Sequence, residues 1–251
     1  MKTLLACVLL MTVISGCSKD CEDDPNDCEI NLNQGLVAYY PFNGNADDAS
    51  GNGNNGVVYG ATFTTDFLGR PGKAAGFDGI NDYILVNDNG KLNHQEVTIA
   101  MMVMVNNTNR RQAIINRVDF ETAKGPVYGV GQALDATNKW EFSLINQDCN
   151  TPYAYNPNDY ATSTETLQPG RWYHLIATFS KGVQKLYIDG ALRVTKTRDF
   201  STLNHCPGVD LVIGAWWKND IVSIDGKVDE LRIYNRAFTD CEIEKLTEIF
   251  E

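Results

Sequence analysis

From residue 36 to residue 235 the chain repeats one pattern. Short runs rich in Val, Ile, Tyr, Phe and Trp alternate with turns of Gly, Asn, Asp and Pro. That composition and spacing predict strands. The first candidates are Leu36–Phe42, Val57–Phe63, Ala74–Phe77, Tyr83–Val86 and Val97–Val105. Ala113–Val118, Val127–Gln132, Trp140–Ile145, Trp172–Phe179 and Gln184–Ile188 follow, then Leu192–Lys196, Val209–Gly214 and Lys227–Asn235. Within Trp172–Ser180, Tyr173, Leu175, Ala177 and Phe179 alternate with His174, Ile176 and Thr178, so the two sets face opposite sides of a sheet. Asp189-Gly190 joins two runs as a tight hairpin. No stretch before residue 239 carries a 3.6-residue period. So many short strands are better satisfied by two antiparallel sheets packed face to face than by one flat sheet. The fold class is all-β.

The C-terminus departs from this pattern. Thr239-Asp240-Cys241-Glu242 matches a capping box, and Ile243, Leu246 and Phe250 then share one face of a short helix. The N-terminus departs in another way. Lys2, the apolar run Leu4–Ile14 and Ser15-Gly16-Cys17 read as a secretory signal over residues 1–16. Val13-Ile14-Ser15-Gly16-Cys17 resembles the bacterial lipoprotein cleavage box, which implies lipidation of Cys17; a plain signal peptide is the other reading. Residues 17–34 are acidic and aperiodic, and read as a flexible tether. An acidic run after the lipidated cysteine resembles the surface-export signal of Bacteroidota lipoproteins. It implies an outer-membrane protein exposed at the cell surface, attached to the membrane through the lipid anchor only. Residues 35–251 then form one domain.

A net charge of −11 argues against nucleic acid and anionic lipid as partners. Export permits disulfides. Cys149 and Cys206, far apart in polar loops, are the preferred pair and Cys21–Cys28 the second, which leaves Cys241 single. No Cys/His spacing points to zinc.

Phe42–Gly56 contains five asparagines, four glycines and two aspartates, with Phe42 its only large apolar residue. Carboxylates, amides and inward-turned carbonyls are the hard oxygen donors that calcium takes. The same composition also suits a flexible, solvated hairpin loop.

Six stretches occur in a telling order. Leu36-Val37-Ala38-Tyr39-Tyr40-Pro41-Phe42-Asn43-Gly44 leads into Asp48-Ala49-Ser50-Gly51-Asn52-Gly53-Asn54-Asn55-Gly56. Phe77-Asp78-Gly79-Ile80-Asn81-Asp82-Tyr83-Ile84, Trp172-Tyr173-His174-Leu175 and Leu186-Tyr187-Ile188-Asp189-Gly190 follow. Val228-Asp229-Glu230-Leu231-Arg232-Ile233-Tyr234-Asn235-Arg236-Ala237 ends the series. Over residues 35–251 the chain resembles the laminin G-like members of the concanavalin A-like lectin/glucanase superfamily. The resemblance implies a jelly-roll sandwich of two antiparallel sheets. It also implies a structural calcium ion linking the early loop to the last strand. Asn43 and Asp48 match the loop ligands, Asp229 matches the acid of the last strand, and Asn45 is a further ligand.

Glycoside hydrolases need two carboxylates, about 5–5.5 Å apart in retaining enzymes. Laminarinase-type relatives carry Glu-x-Asp-x-x-Glu along one strand, and that triple is absent here. Asp229 and Glu230 are adjacent, so alternation turns them to opposite faces. No nucleophile elbow and no nucleotide-binding glycine motif occurs. Gly129-Val130-Gly131 reads as strand glycines in a curved sheet. Tyr153, Tyr155 and Tyr160 in the loop Asn150–Tyr160, and Trp217 beside Trp216, place rings among polar groups. A sugar site needs that combination of flat apolar faces and hydrogen-bonding groups. The expectation is a non-catalytic, calcium-stabilised module that binds carbohydrate. The alternatives are a protein-binding adhesive module and a glycoside hydrolase with an unrecognised carboxylate pair.

Overall fold

The computed structural model of the chain describes residues 29–133 and 138–250. The signal, Cys17 and Cys21–Cys28 expectations lie outside the described residues.

Strands β1 (Leu36–Tyr40), β2 (Val57–Tyr59), β3 (Thr62–Thr64), β4 (Ala74–Asp78) and β5 (Tyr83–Val86) come first. The middle of the chain supplies β6 (Val97–Val105), β7 (Gln112–Val118), β8 (Val127–Gln132), β9 (Trp140–Ile145) and β10 (Tyr160–Thr162). The remainder are β11 (Trp172–Ser180), β12 (Val183–Ile188), β13 (Ala191–Thr197), β14 (Asp210–Ile213), β15 (Asp225–Tyr234) and the helix α1 (Asp240–Glu248). An eight-stranded sheet runs β13-β12-β11-β6-β15-β4-β3, with β1 also paired to β15; a seven-stranded sheet runs β10-β9-β8-β7-β14-β5-β2. All these pairs are antiparallel. The architecture is a jelly-roll sandwich.

The sequence pattern holds along most of this path, with two differences. Val57–Phe63 is two strands, because Gly60 turns the chain from one sheet into the other. Its φ is +78°, and a Cβ there would sit 2.0 Å from Asp82 Oδ1. β10 is an edge strand beyond the expected set, starting at Tyr160 where the tyrosine-rich loop ends.

The main core lies between the sheets, where Tyr40, Phe42, Ile99, Met101, Trp140, Phe142, Phe179, Leu231 and Ile233 are buried together. Tyr173, Leu175, Ala177 and Phe179 of β11 join it, while Ile176 points to the opposite face. On that opposite face α1 closes the eight-stranded sheet: Ile243 and Leu246 pack on Ala100, Ile176, Tyr187 and Tyr234. The helix starts where its capping box sets it, with Thr239 accepting from Glu242 N and the Glu242 carboxylate accepting from Thr239 N. Ile30 and Leu32 are partly buried against the same cluster, so the end of the expected tether is part of the folded unit.

The β12–β13 hairpin turns at Asp189 and Gly190, with φ of 50° and 73°, as an Asp-Gly type I′ turn requires. Strand β15 changes partner along one edge, from β4 at Asp225–Val228 to β1 at Leu231–Tyr234. Asp229 and Glu230 form the irregularity between them.

Cys149 and Cys206 are joined by a disulfide, as expected. The expectation of a single Cys241 is corrected. It is disulfide-bonded, with a partner outside the described residues, and it is only partly buried.

Candidate functional site

The outer face of the seven-stranded sheet has a different surface. Register places Asn116, Gly129, Ser143 and Tyr160 side by side across β7, β8, β9 and β10. Gly131 and Glu141 form a parallel row. These positions alternate with Ile115, Val130 and Phe142, which point into the core. A small cleft, with room of about 20 Å³, lies over these rows, lined by Arg111, Trp216 and Tyr160.

The floor is low because both glycines are needed there. A Cβ on Gly129 would stand 2.1 Å from Asn116 Oδ1, and one on Gly131 would stand 2.7 Å from the Gln112 carbonyl. Asn116 donates to the Ala215 carbonyl and Ser143 to the Gly129 carbonyl, which fixes both side chains. The Asn116 oxygen and the Ser143 hydroxyl oxygen keep acceptor capacity toward the cleft.

The walls come from loops. Tyr153 and Tyr160 share a hydrogen bond between their hydroxyls of 2.5 Å. Both phenols are pushed above their usual pKa, chiefly by burial, so they remain neutral donors. Tyr153 packs edge-on against Trp216, at 5.2 Å between ring centres. The Arg111 guanidinium lies 5.9 Å from the Trp216 ring centre and 3.8 Å from an Asp220 carboxylate oxygen. The tyrosine loop is tied down at its base by Cys149–Cys206 and by Tyr153 N donating to the Ala123 carbonyl.

The expected sugar contacts therefore divide. Tyr160 lines the cleft and Tyr153 backs it. Tyr155 is exposed, with its ring 5.4 Å from Tyr160. Trp217 is partly buried, packs on the apolar cluster of Phe120, Val127 and Val212, and is not among the cleft-lining residues; its neighbour Trp216 is. Arg111, Asn116, Glu141 and Ser143 were not anticipated. The signal that marks the strand residues is polar side chains at alternate positions on strands beside Gly-x-Gly.

The residues expected to hold calcium are differently engaged. Asp48 Oδ1 accepts from Tyr39 N and Ser50 N, and Oδ2 accepts from Asn54 N. Asn45 accepts from Asp47 N, and Asn43 is exposed. Asn52 and Asn54 donate to the Val37 carbonyl, and Tyr40 donates to the Asn54 carbonyl. The polar loop is thus a hydrogen-bonded knot around β1.

Asp229 is buried, with Oδ1 accepting from Glu230 N and Oδ2 without a partner among the described residues. Burial, more than any neighbour, pushes its pKa up to about 7; the charged groups acting on it are Glu230, Asp66 and Arg70. No group of three acidic, His or Cys side chains among the described residues converges as a metal set. Asn43, Asn45, Asp48 and Asp229 as placed do not fit a calcium cage, which needs six to eight oxygens turned to one point.

Comparison with known proteins gives the chain its relatives. A model of the concanavalin A-like lectin/glucanases superfamily matches residues 78–244. A search of curated proteins found no match. Among solved structures, domain 4 of AbnA, a GH43 extracellular arabinanase from Geobacillus stearothermophilus, in complex with arabinotriose, superposes with a TM-score of 0.67 at 19% identity. The match covers 84% of this chain and 98% of that domain. The binding domain of Paraclostridial Mosquitocidal Protein 1 gives 0.65 at 18% identity, and that of Botulinum Neurotoxin DC in complex with SialylT gives 0.61 at 16%. In both cases 88% of this chain matches 53% of the other, so the chain spans about half of those binding domains. At these identities the likeness is one of fold. With the family model matching well over half its length, the chain belongs to the concanavalin A-like lectin/glucanase superfamily.

Proposed function

We propose that this domain binds carbohydrate without catalysis, in the cleft on the outer face of the seven-stranded sheet. The observation that carries this reading is the cleft's composition: Trp216 and Tyr160 as walls, Asn116 and Ser143 on the floor, and two glycines that lower that floor. Aromatic faces take the C–H side of a sugar ring, and the fixed polar groups take its hydroxyls. Glu141 is the only carboxylate among the cleft-lining residues, whereas glycoside hydrolysis requires two. Fold relatives that were solved with arabinotriose or SialylT bound support the ligand class.

The leader-like segment and Cys17 support placement of the domain on a cell surface through a lipid. Labelling with radioactive palmitate, lost in Cys17→Ala, is the check on that part. For the cleft, a glycan array probed with the folded protein should give a defined set of hits. Asn116→Ala and Trp216→Ala should lose them. An array without hits, or hits that survive both substitutions, overturns the reading.

A further inference from the structure

A second polar pocket opens at one end of the sandwich, away from the cleft. It is lined by His94, Glu96, Lys181, Ser201, Thr202 and His205, with no aromatic residue other than the imidazoles. We propose that this pocket binds a small oxyanion group: a sulfate, a phosphate or a carboxylate.

The argument starts behind the pocket wall. Arg117 of β7 is 2% exposed, yet its nearest ion-pair partner, Asp88, stands 3.7 Å away. Asp88 is already committed to Gly90 N and Gly208 N. Arg117 Nε has no partner among the described residues, and Nη2 donates to Asn93, itself a pocket residue. A buried guanidinium normally takes a bidentate carboxylate. Asp88 and, behind it, Asp210 offset part of this charge, and the rest acts on the pocket side with less screening than at a surface.

Two imidazoles feel that field. His94 is 7% exposed, its Nδ1 has no partner among the described residues, and its Nε2 is 3.5 Å from the Tyr128 hydroxyl. Its pKa is pushed down to about 3 by burial, then by Arg117 and by His205. His205 is also lowered, by burial and then by Arg117. The charged and titratable groups acting on either ring are thus basic. The lining offers an anion the His94 imidazole, the Lys181 ammonium and the Ser201 and Thr202 hydroxyls. Glu96, the one acid of the lining, accepts from the Ser180 hydroxyl.

The chain has three histidines, and the third, His174, lies on the eight-stranded sheet against Phe250. Histidine ring NMR signals therefore carry an internal control. The intact protein is titrated with sodium sulfate against sodium chloride at matched ionic strength, and separately with glucuronate and with glucose. Sulfate should move the His94 and His205 signals and leave His174 unmoved. Lys181→Asn, which suits the positive φ of 48° at that turn, should weaken binding about tenfold, as loss of a charged hydrogen bond does. His205→Ala is the second exposed variant and should weaken it as well.

Response to both sulfate and glucuronate marks the shared oxyanion group. Response to sulfate alone marks an inorganic ion or sulfate ester, and tighter binding of glucuronate marks an acidic glycan. No response beyond chloride, equal movement of all three histidines, or an equal response to glucose overturns the proposal. The cleft need not be functional for any of these results.

Discussion

The two sheets have the same geometry and opposite outer faces. On the eight-stranded sheet, positions that alternate with the core are Ala100, Ile176, Tyr187 and Tyr234, and α1 covers them. On the seven-stranded sheet the corresponding positions in β7, β8 and β9 are Asn116, Gly129, Gly131, Glu141 and Ser143, and a cleft remains. Apolar residues on alternate positions recruit a cover, because leaving them wet forgoes about 25 cal/mol per Å². Polar residues and glycines recruit none. One face is covered by a helix; on the other, loop residues such as Phe120 and Trp216 cover Val127, Ile145 and Val212, and the polar rows beside them stay open to a ligand.

Substitutions should separate the two faces. Leu246→Ala, under the helix, should cost about 2–5 kcal/mol in urea unfolding, with ligand affinity of the folded fraction unchanged. A loss of affinity would mean that the faces are coupled. Gly129→Ala should cost about 1–3 kcal/mol by overpacking and should abolish glycan binding, because the added methyl meets Asn116. Asp48→Ala orphans three amides of the polar knot and should cost about 2 kcal/mol. A chelator should leave the wild-type melting temperature unchanged; a drop would restore the calcium expectation. Tyr160→Phe should cost about 1 kcal/mol through the lost hydroxyl pair and weaken glycan binding severalfold.

The smallest effect is in pH dependence, because two groups on the covered face oppose each other. Asp229 has a folded pKa of about 7, above its unfolded value. Its stabilising contribution is full below about pH 4 and is lost as pH rises through about 7. His174 is lowered to about 4, by burial and then by Arg232. Its contribution is full above about pH 6.5 and is lost as pH falls toward 4. Their contributions to the slope of the urea midpoints between pH 4 and 7 should therefore cancel, leaving the loss with acid that His94, lowered to about 3, contributes. Asp229→Asn should make the midpoints fall more steeply with acid than in the wild type, and His174→Leu less steeply. A slope unchanged from the wild type in both variants would remove the two groups from the account.

Local signals in the sequence were the legible ones. The alternation in β11, the Asp-Gly turn and the Thr239–Glu242 box each depend on neighbours within a few residues. The cleft was half legible. Tyr160 stood out and Gly129-Val130-Gly131 read only as strand glycines, while Arg111, Asn116, Glu141, Ser143 and Trp216 meet only through pairing and loop packing across more than a hundred residues. The polar loop shows a different limit. An asparagine or aspartate oxygen serves a cation and a backbone amide equally well, so composition does not say which it faces. Here Asp48 faces amides. Cys241 shows the same limit, since a bond to a distant segment leaves no trace in spacing.

The pairing of β1 with the C-terminal half of β15 has a consequence in time. Leu36 sits opposite Tyr234, and Tyr40 opposite Leu231. Contacts so far apart in sequence are slow to form, since the intervening loop must close before they are made. During synthesis β1 waits for its partner until nearly the whole domain has emerged. The two strands that meet last therefore close the fold, and residues between them must already be in place when they pair.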